Sequence, residues 1–315
     1  MSVRPRAADA VTAALAPVVW GSTYLVTTEF LPENRPLLAA TVRALPSGLL
    51  LVLITRSLPR GAWLGRAAVL GVLNIGAFFA LLFVAAYRLP GGIAALIGSL
   101  QPMLVLGLAV PLLGERARGR DLAACLLGTA GVALLVGASA TALDPVGVAA
   151  SLGCAGCMAL GIVLTKRWGR PAGLVAFTGW QLALGGLFLL PLTLLFEGLP
   201  QRVTTVNLTA YGYLCLVGAV FAYTVWFRGV ERLPAVAVSL LGLLSPVVAA
   251  LLGLVVLGQG FTPPQLAGAA AVLAGIVLAQ LPSLRPARPQ RKESHEHRNR
   301  PGRRHQVRRT GVPSA

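Results

Sequence analysis

The sequence predicts an all-α integral membrane protein whose ten transmembrane helices form two inverted five-helix repeats. Composition, the placement of basic residues and an internal repeat predict it. The 315 residues are 56% hydrophobic and 12% charged, with a mean hydropathy of +0.76. Soluble domains carry about 25% charged residues, so a water-soluble globule is excluded. Ten spans of about 20 residues would use about 200 positions and leave only loops and one tail.

Hydropathy places the spans at about 10 to 28, 36 to 55, 66 to 86, 91 to 113, 121 to 139, 145 to 165, 174 to 196, 208 to 228, 235 to 257 and 265 to 281. Turn residues supply most of the stops: Leu31-Pro32, Leu58-Pro59-Arg60-Gly61, Leu89-Pro90-Gly91-Gly92, Asp144-Pro145, Gly169-Arg170-Pro171, Gly198-Leu199-Pro200, Leu233-Pro234 and Thr262-Pro263-Pro264. The first run follows Arg4 and Arg6 as a signal peptide would. It is about 19 residues long and many similar runs follow, so it reads as an uncleaved span. Cys125, Cys154, Cys157 and Cys215 all lie in apolar stretches, where they act as small hydrophobes rather than a disulfide framework.

Basic residues give an independent test, because Lys and Arg collect in cytoplasmic loops. With the N-terminus inside, the inner segments hold Arg4, Arg6, Arg56, Arg60, Arg66, Arg116, Arg118, Arg120, Lys166, Arg167, Arg170, Arg228 and Arg232, against Arg35, Arg88 and Arg202 outside. Shifting the count by one helix destroys this alternation. Both termini are therefore expected in the cytoplasm, and the protein in the plasma (inner) membrane as a multi-pass chain.

A shift of 144 residues lays Arg88 to about Leu135 without gaps on the stretch that begins at Arg232. Arg88-Leu89-Pro90 meets Arg232-Leu233-Pro234, Gly98 meets Gly242, Pro102 meets Pro246, and Ala130-Gly131 meets Ala274-Gly275. A shift near 138 places Arg43 opposite Gln181. Five spans is an odd number, so two similar halves lie upside down relative to each other, the inverted-repeat plan of secondary transporters. The expected division is 1–140, 141–282 and a tail, 283–315, with the two halves rocking about a central site.

Trp20-Gly21-Ser22-Thr23-Tyr24, Arg43 and the run Pro111-Leu112-Leu113-Gly114-Glu115-Arg116 resemble the EamA domain of the drug/metabolite transporter superfamily. A second copy resembles residues 145 to 281; its ninth helix ends Leu257-Gly258-Gln259 where the family often has Gly-Glu. The resemblance implies ten helices around a central cavity, and commonly the export of amino acids or other small metabolites.

Candidate site residues follow from what a bilayer tolerates. Pro102 and Pro246 lie mid-span, each four residues after a glycine. Proline removes a donor and clashes with the carbonyl four residues back, so both helices should bend there. Matching bends near the midplane point to a solute site, because the freed carbonyls need a cavity or a partner. Arg43 is the basic residue placed well inside a span, where arginine costs about 2.5 to 3.5 kcal/mol. It faces a solute carboxylate or pairs structurally with Glu29. Asn74, Gln101 and Gln181 lie at comparable depth, beside Ser99 and Ser245, and each either lines a cavity or glues helices together. Trp20 and Tyr24, one turn apart, and Phe79 and Phe83, matched by Tyr223 and Phe227 under the 144 shift, either line a cavity for a flat solute or face lipid.

Several absences narrow the function. There is no G-x-x-x-x-G-K-[ST] loop and no cofactor is expected. Mid-span Ser–His pairs, H-E-x-x-H and paired aspartates are missing, which argues against an intramembrane enzyme. Proton coupling would fall first to Glu29 among the span-end carboxylates. The expected function is secondary transport of a small organic solute, outward, by alternating access; the rival is a membrane receptor or scaffold that does not transport. Small residues four apart, such as Ala267, Ala271 and Gly275, permit close helix contact inside the chain or in a homodimer. The tail carries ten basic residues against Glu293 and Glu296. Its composition predicts disorder and attraction to an anionic inner leaflet, whereas nucleic-acid binding lacks any motif.

Overall fold

The computed structural model describes residues 4–32, 35–89, 91–136, 144–200, 202–257 and 262–281. The tail at 283–315 lies outside them. Among the described residues ten helices are long and apolar enough to cross a membrane. They are α1 (Arg4–Phe30), α2 (Pro36–Thr55), α3 (Ala62–Gly71, a π-helical turn Val72–Gly76, then Ala77–Arg88), α4 (Gly91–Gly98 and Gln101–Leu113) and α5 (Gly119–Val136). The second set is α6 (Pro145–Trp168), α7 (Leu174–Phe196), α8 (Thr205–Cys215, a π-helical turn Leu216–Phe221, then Ala222–Arg232), α9 (Ala235–Leu241 and Leu244–Leu257) and α10 (Pro263–Gln280).

Local chemistry explains most boundaries. α4 and α9 break just before Pro102 and Pro246, as the missing proline donor requires. The break in α4 turns through Leu100, whose amide bonds to Ile97, and the Ser99 carbonyl accepts a hydrogen bond from Thr129 Oγ1 instead (3.1 Å). Thr204 with Asn207, and Thr262 with Gln265, close capping boxes on α8 and α10. Asp144 caps α6 through the Gly147 amide (2.9 Å) ahead of Pro145. That amide bond first, with help from Arg88 at 3.3 Å, holds the Asp144 carboxyl below the usual carboxylate range.

The two repeats interlock. α2 packs on α7 and α5 on α10, both pairs brought close by glycine. A Cβ at Gly48 would lie 2.5 Å from Ala183 Cα, and one at Gly268 would lie 2.5 Å from the Gly131 carbonyl. The small residues of α5 and α10 are thus used within the chain. α1 packs on α8 and α9, while α6 packs on α3 and α4. The close pairings therefore run between repeats, so the midplane is built from both.

Candidate functional site

The π-turns shape the midplane. At the end of the turn in α8 the Ala222 amide bonds five residues back to Val217, which releases the Gly218 carbonyl from its α-helical donor. Two side chains claim that carbonyl: Arg43 Nη2 of α2 at 2.8 Å and Trp20 Nε1 of α1 at 3.1 Å. Ser47, one turn beyond Arg43, donates to the Cys215 carbonyl and fixes α2 on the same stretch of α8. Arg43 is 6% exposed. Its Cζ stands 5.2 Å from the Phe79 ring and 5.8 Å from the Tyr223 ring. Phe79 and Tyr223 correspond under the 144 shift, so the guanidinium sits close to the pseudo-two-fold axis that relates the repeats.

The π-turn of α3 occupies the matching place and receives the matching side chain. Asn74, 1% exposed, donates to Gln181 Oε1 of α7 at 2.7 Å, with Thr165 Oγ1 at 3.3 Å. Gln181 is fully buried. The second helix of each repeat thus reaches into the third helix of the other, once with Arg43 and once with Gln181. Deleting one partner of a buried pair strands the other, at about 1 to 2 kcal/mol. Asn74→Ala and Gln181→Ala should each lower the thermal unfolding midpoint by a few degrees. The double variant should lose less than the sum, and strict additivity would show that the pair contributes nothing.

Beside the axis lies a cavity of about 270 Å³, near the lower end of ligand pockets, which run from about 300 Å³. Arg43 and Gln101 are its polar landmarks; Trp20, Phe79, Tyr223 and Trp226 supply much of its apolar wall. Trp20 lies 5.0 Å from Tyr223 and 5.3 Å from Trp226, ring to ring, so one wall is a continuous aromatic bank. The cavity shares Thr27, Phe78, Gln101 and Ser245 with a vestibule of about 640 Å³, which reaches Pro32, Arg35, Ala86 and Ala94. Those residues mark the face with few basic residues.

At the basic-loop face the helix ends are tied together. Lys166 Nζ of α6 donates to the Leu233 carbonyl at 2.6 Å and to the Val230 carbonyl at 3.4 Å. Glu115 accepts the Ala235 amide on both oxygens at 3.3 Å and lies 4.0 Å from Lys166. Arg170 bonds Glu231 at 2.9 Å. A cation on the last carbonyls of α8 and an anion on the first amide of α9 each suit the local helix dipole. Asp9 joins Arg232 at 3.1 Å and Arg228 at 3.6 Å. Its repeat counterpart is Asp144 with Arg88.

The sequence candidates divide accordingly. Trp20, Arg43, Phe79, Gln101 and Tyr223 meet at the cavity, and Pro246 lines the vestibule. Pro102 is buried at the start of the second segment of α4. Asn74 and Gln181 pair with each other between α3 and α7. Glu29 is exposed in the last turn of α1. Tyr24 lies on α1, with its side chain outside the described residues. Gly218 and Lys166 were not singled out: a carbonyl acceptor leaves no mark in sequence, and Lys166 counted only as a loop charge. Among the described residues no cluster of His, Cys, Asp or Glu could hold a metal ion.

Residues 9–137 and 145–281 each match the EamA-like transporter family. The chain is 49% identical to Protein PecM of Dickeya dadantii over 267 residues, covering 84% of this chain and 90% of that protein. It is 28% identical to a probable amino-acid metabolite efflux pump of Salmonella typhimurium, over 86% of this chain and 94% of the pump. A solved crystal structure shares the fold at a TM-score of 0.75 and 22% identity, covering 87% of this chain and 96% of its own. Two family matches in tandem, ten apolar helices and relatives named as transporters indicate transport rather than catalysis. The chain belongs to the EamA-like transporter family and is a multi-pass membrane transporter of the drug/metabolite type.

Proposed function

We propose that the protein exports small organic metabolites across the plasma membrane by alternating access. The observation that carries this reading is the one-sided opening of the midplane cavity. It continues into a vestibule at the face with few basic residues, while Lys166, Glu115 and Arg170 tie the α8–α9 turn at the other. Positive-inside logic makes the tied face cytoplasmic, so this state is open outward. An inverted repeat supplies a second packing of similar energy, open inward. Arg43, near the axis, serves the solute in both.

Packing favours moving bodies that differ from the two repeats. α1 goes with α8 and α9, and α6 with α3 and α4, while the glycine-tight pairs α2–α7 and α5–α10 hold the frame. The bonds from Lys166 and Glu115 to the α8–α9 turn and the Arg170–Glu231 pair join the two moving groups; the Asp9 and Asp144 pairs stay within one group each. In this orientation the ten basic residues of 283–315 would favour an anionic inner leaflet.

The test uses a chain whose four native cysteines are replaced and which carries Ser245→Cys. In intact cells a membrane-impermeant maleimide should label it from outside. A solute found by growth-inhibition screening should slow labelling severalfold and exchange across liposomes by counterflow. Absence of both solute protection and counterflow would overturn the reading.

A further inference from the structure

We propose that the cavity selects planar aromatic anions, carboxylates attached to a ring system without an ammonium group, over zwitterions and cations. The inference rests on the cavity being the solute site. Among the described lining residues there is one formal charge, Arg43, and no Asp or Glu. The other polar groups on the wall, Gln101 and Ser245 among them, are uncharged.

The remaining wall suits a flat ring. Trp20, Tyr223 and Trp226 form one bank and Phe78, Phe79 and Phe83 the other, with Arg43 stacked between Phe79 and Tyr223. A planar solute slots between the banks by offset or edge contacts and brings its carboxylate to the guanidinium as a charge-assisted bond. An ammonium on the same solute meets Arg43 and, among the described lining residues, no carboxylate. The ring faces nearest the guanidinium are already occupied by it. A desolvated, unpaired cation is costly, so an α-amino group counts against binding here.

A matched ligand series separates these terms. Indole-3-propionate, tryptophan and tryptamine share one ring and differ only in carboxylate and amine; cyclohexanepropionate keeps the anion and removes the aromatic ring. Calorimetric titration of the detergent-solubilised full chain should show indole-3-propionate binding at least about tenfold more tightly than each of the others, the scale of one charged hydrogen bond. Arg43→Gln should erase the gap between indole-3-propionate and tryptamine, while Arg43→Lys keeps the preference at lower affinity. Unfolding curves of both variants guard against misfolding, and the wild-type series decides alone if both misfold. Tryptophan binding as tightly as indole-3-propionate, equal or absent binding of all four, or an anion preference that survives in a folded Arg43→Gln chain overturns the proposal. Counterflow separates the two readings. Selective binding without flux overturns transport and leaves the selectivity, whereas flux that favours tryptophan or tryptamine overturns the selectivity and leaves transport.

Discussion

Gly48→Val should yield almost no folded protein, and Gly48→Ala should lower the thermal midpoint by several degrees. A Cβ at residue 48 would meet the Ala183 amide nitrogen, lie 2.5 Å from Ala183 Cα and 2.6 Å from the Leu182 carbonyl carbon. These are backbone atoms of α7, so no rotamer change relieves the overlap and α2 must move away. Overpacking of this kind costs about 1 to 3 kcal/mol, and more when the obstacle is rigid, against a total stability of about 5 to 15 kcal/mol. Displacing α2 also withdraws Arg43 from Gly218. Gly107→Ala is the control, because nothing lies within 4 Å of a Cβ there. Size-exclusion profiles and unfolding curves in detergent read the outcome. A Gly48→Ala chain as stable as its parent would show that the α2–α7 contact is looser than described.

The second large effect concerns the closed face. Removing both caps on the α8–α9 turn, with Lys166→Met and Glu115→Gln together, should move the equilibrium toward the packing open at the basic-loop face. Lys166 holds two carbonyls and Glu115 one amide. Charged hydrogen bonds contribute about 1.5 to 3 kcal/mol when dry; the side chains are 18% and 29% exposed, which argues for the lower figure. About 1.4 kcal/mol is a tenfold shift. Hydrogen exchange at residues 233–237 should then rise about tenfold, and labelling of Ser245→Cys from outside should fall. Asp9→Asn serves as comparison and should change labelling far less, since its partners Arg228 and Arg232 lie in the same moving group. Equal effects of the two changes would refute that grouping.

Much of this architecture was legible in the sequence, because bilayer thickness, loop charge and proline act through composition and spacing. The spans at 91 to 113 and 235 to 257 both break just before the prolines that the 144 shift superposes. The site was legible by depth and not by direction. Arg43, Asn74 and Gln181 are all mid-span polar residues, yet only the rotation of α2, α3 and α7 decides that the arginine reaches the cavity while the two amides meet each other. The π-turns left no signature, since one extra residue in a helical turn is compatible with an ordinary apolar run such as Leu216–Phe221. Glu115 stood out as part of a motif, but its task on the Ala235 amide depends on a turn 120 residues away.

That carboxylate has a lopsided counterpart. Under the 144 shift Glu115 falls on Gln259, and Ala235 on Gly91. The proposed inversion would therefore find a neutral amide in the sequence where the first repeat has an anion, and a neutral amide grips a helix end less strongly than an anion does. In the proposed cycle the two mouths would then be held unequally, and an unloaded carrier is expected to favour the state that faces away from the basic loops.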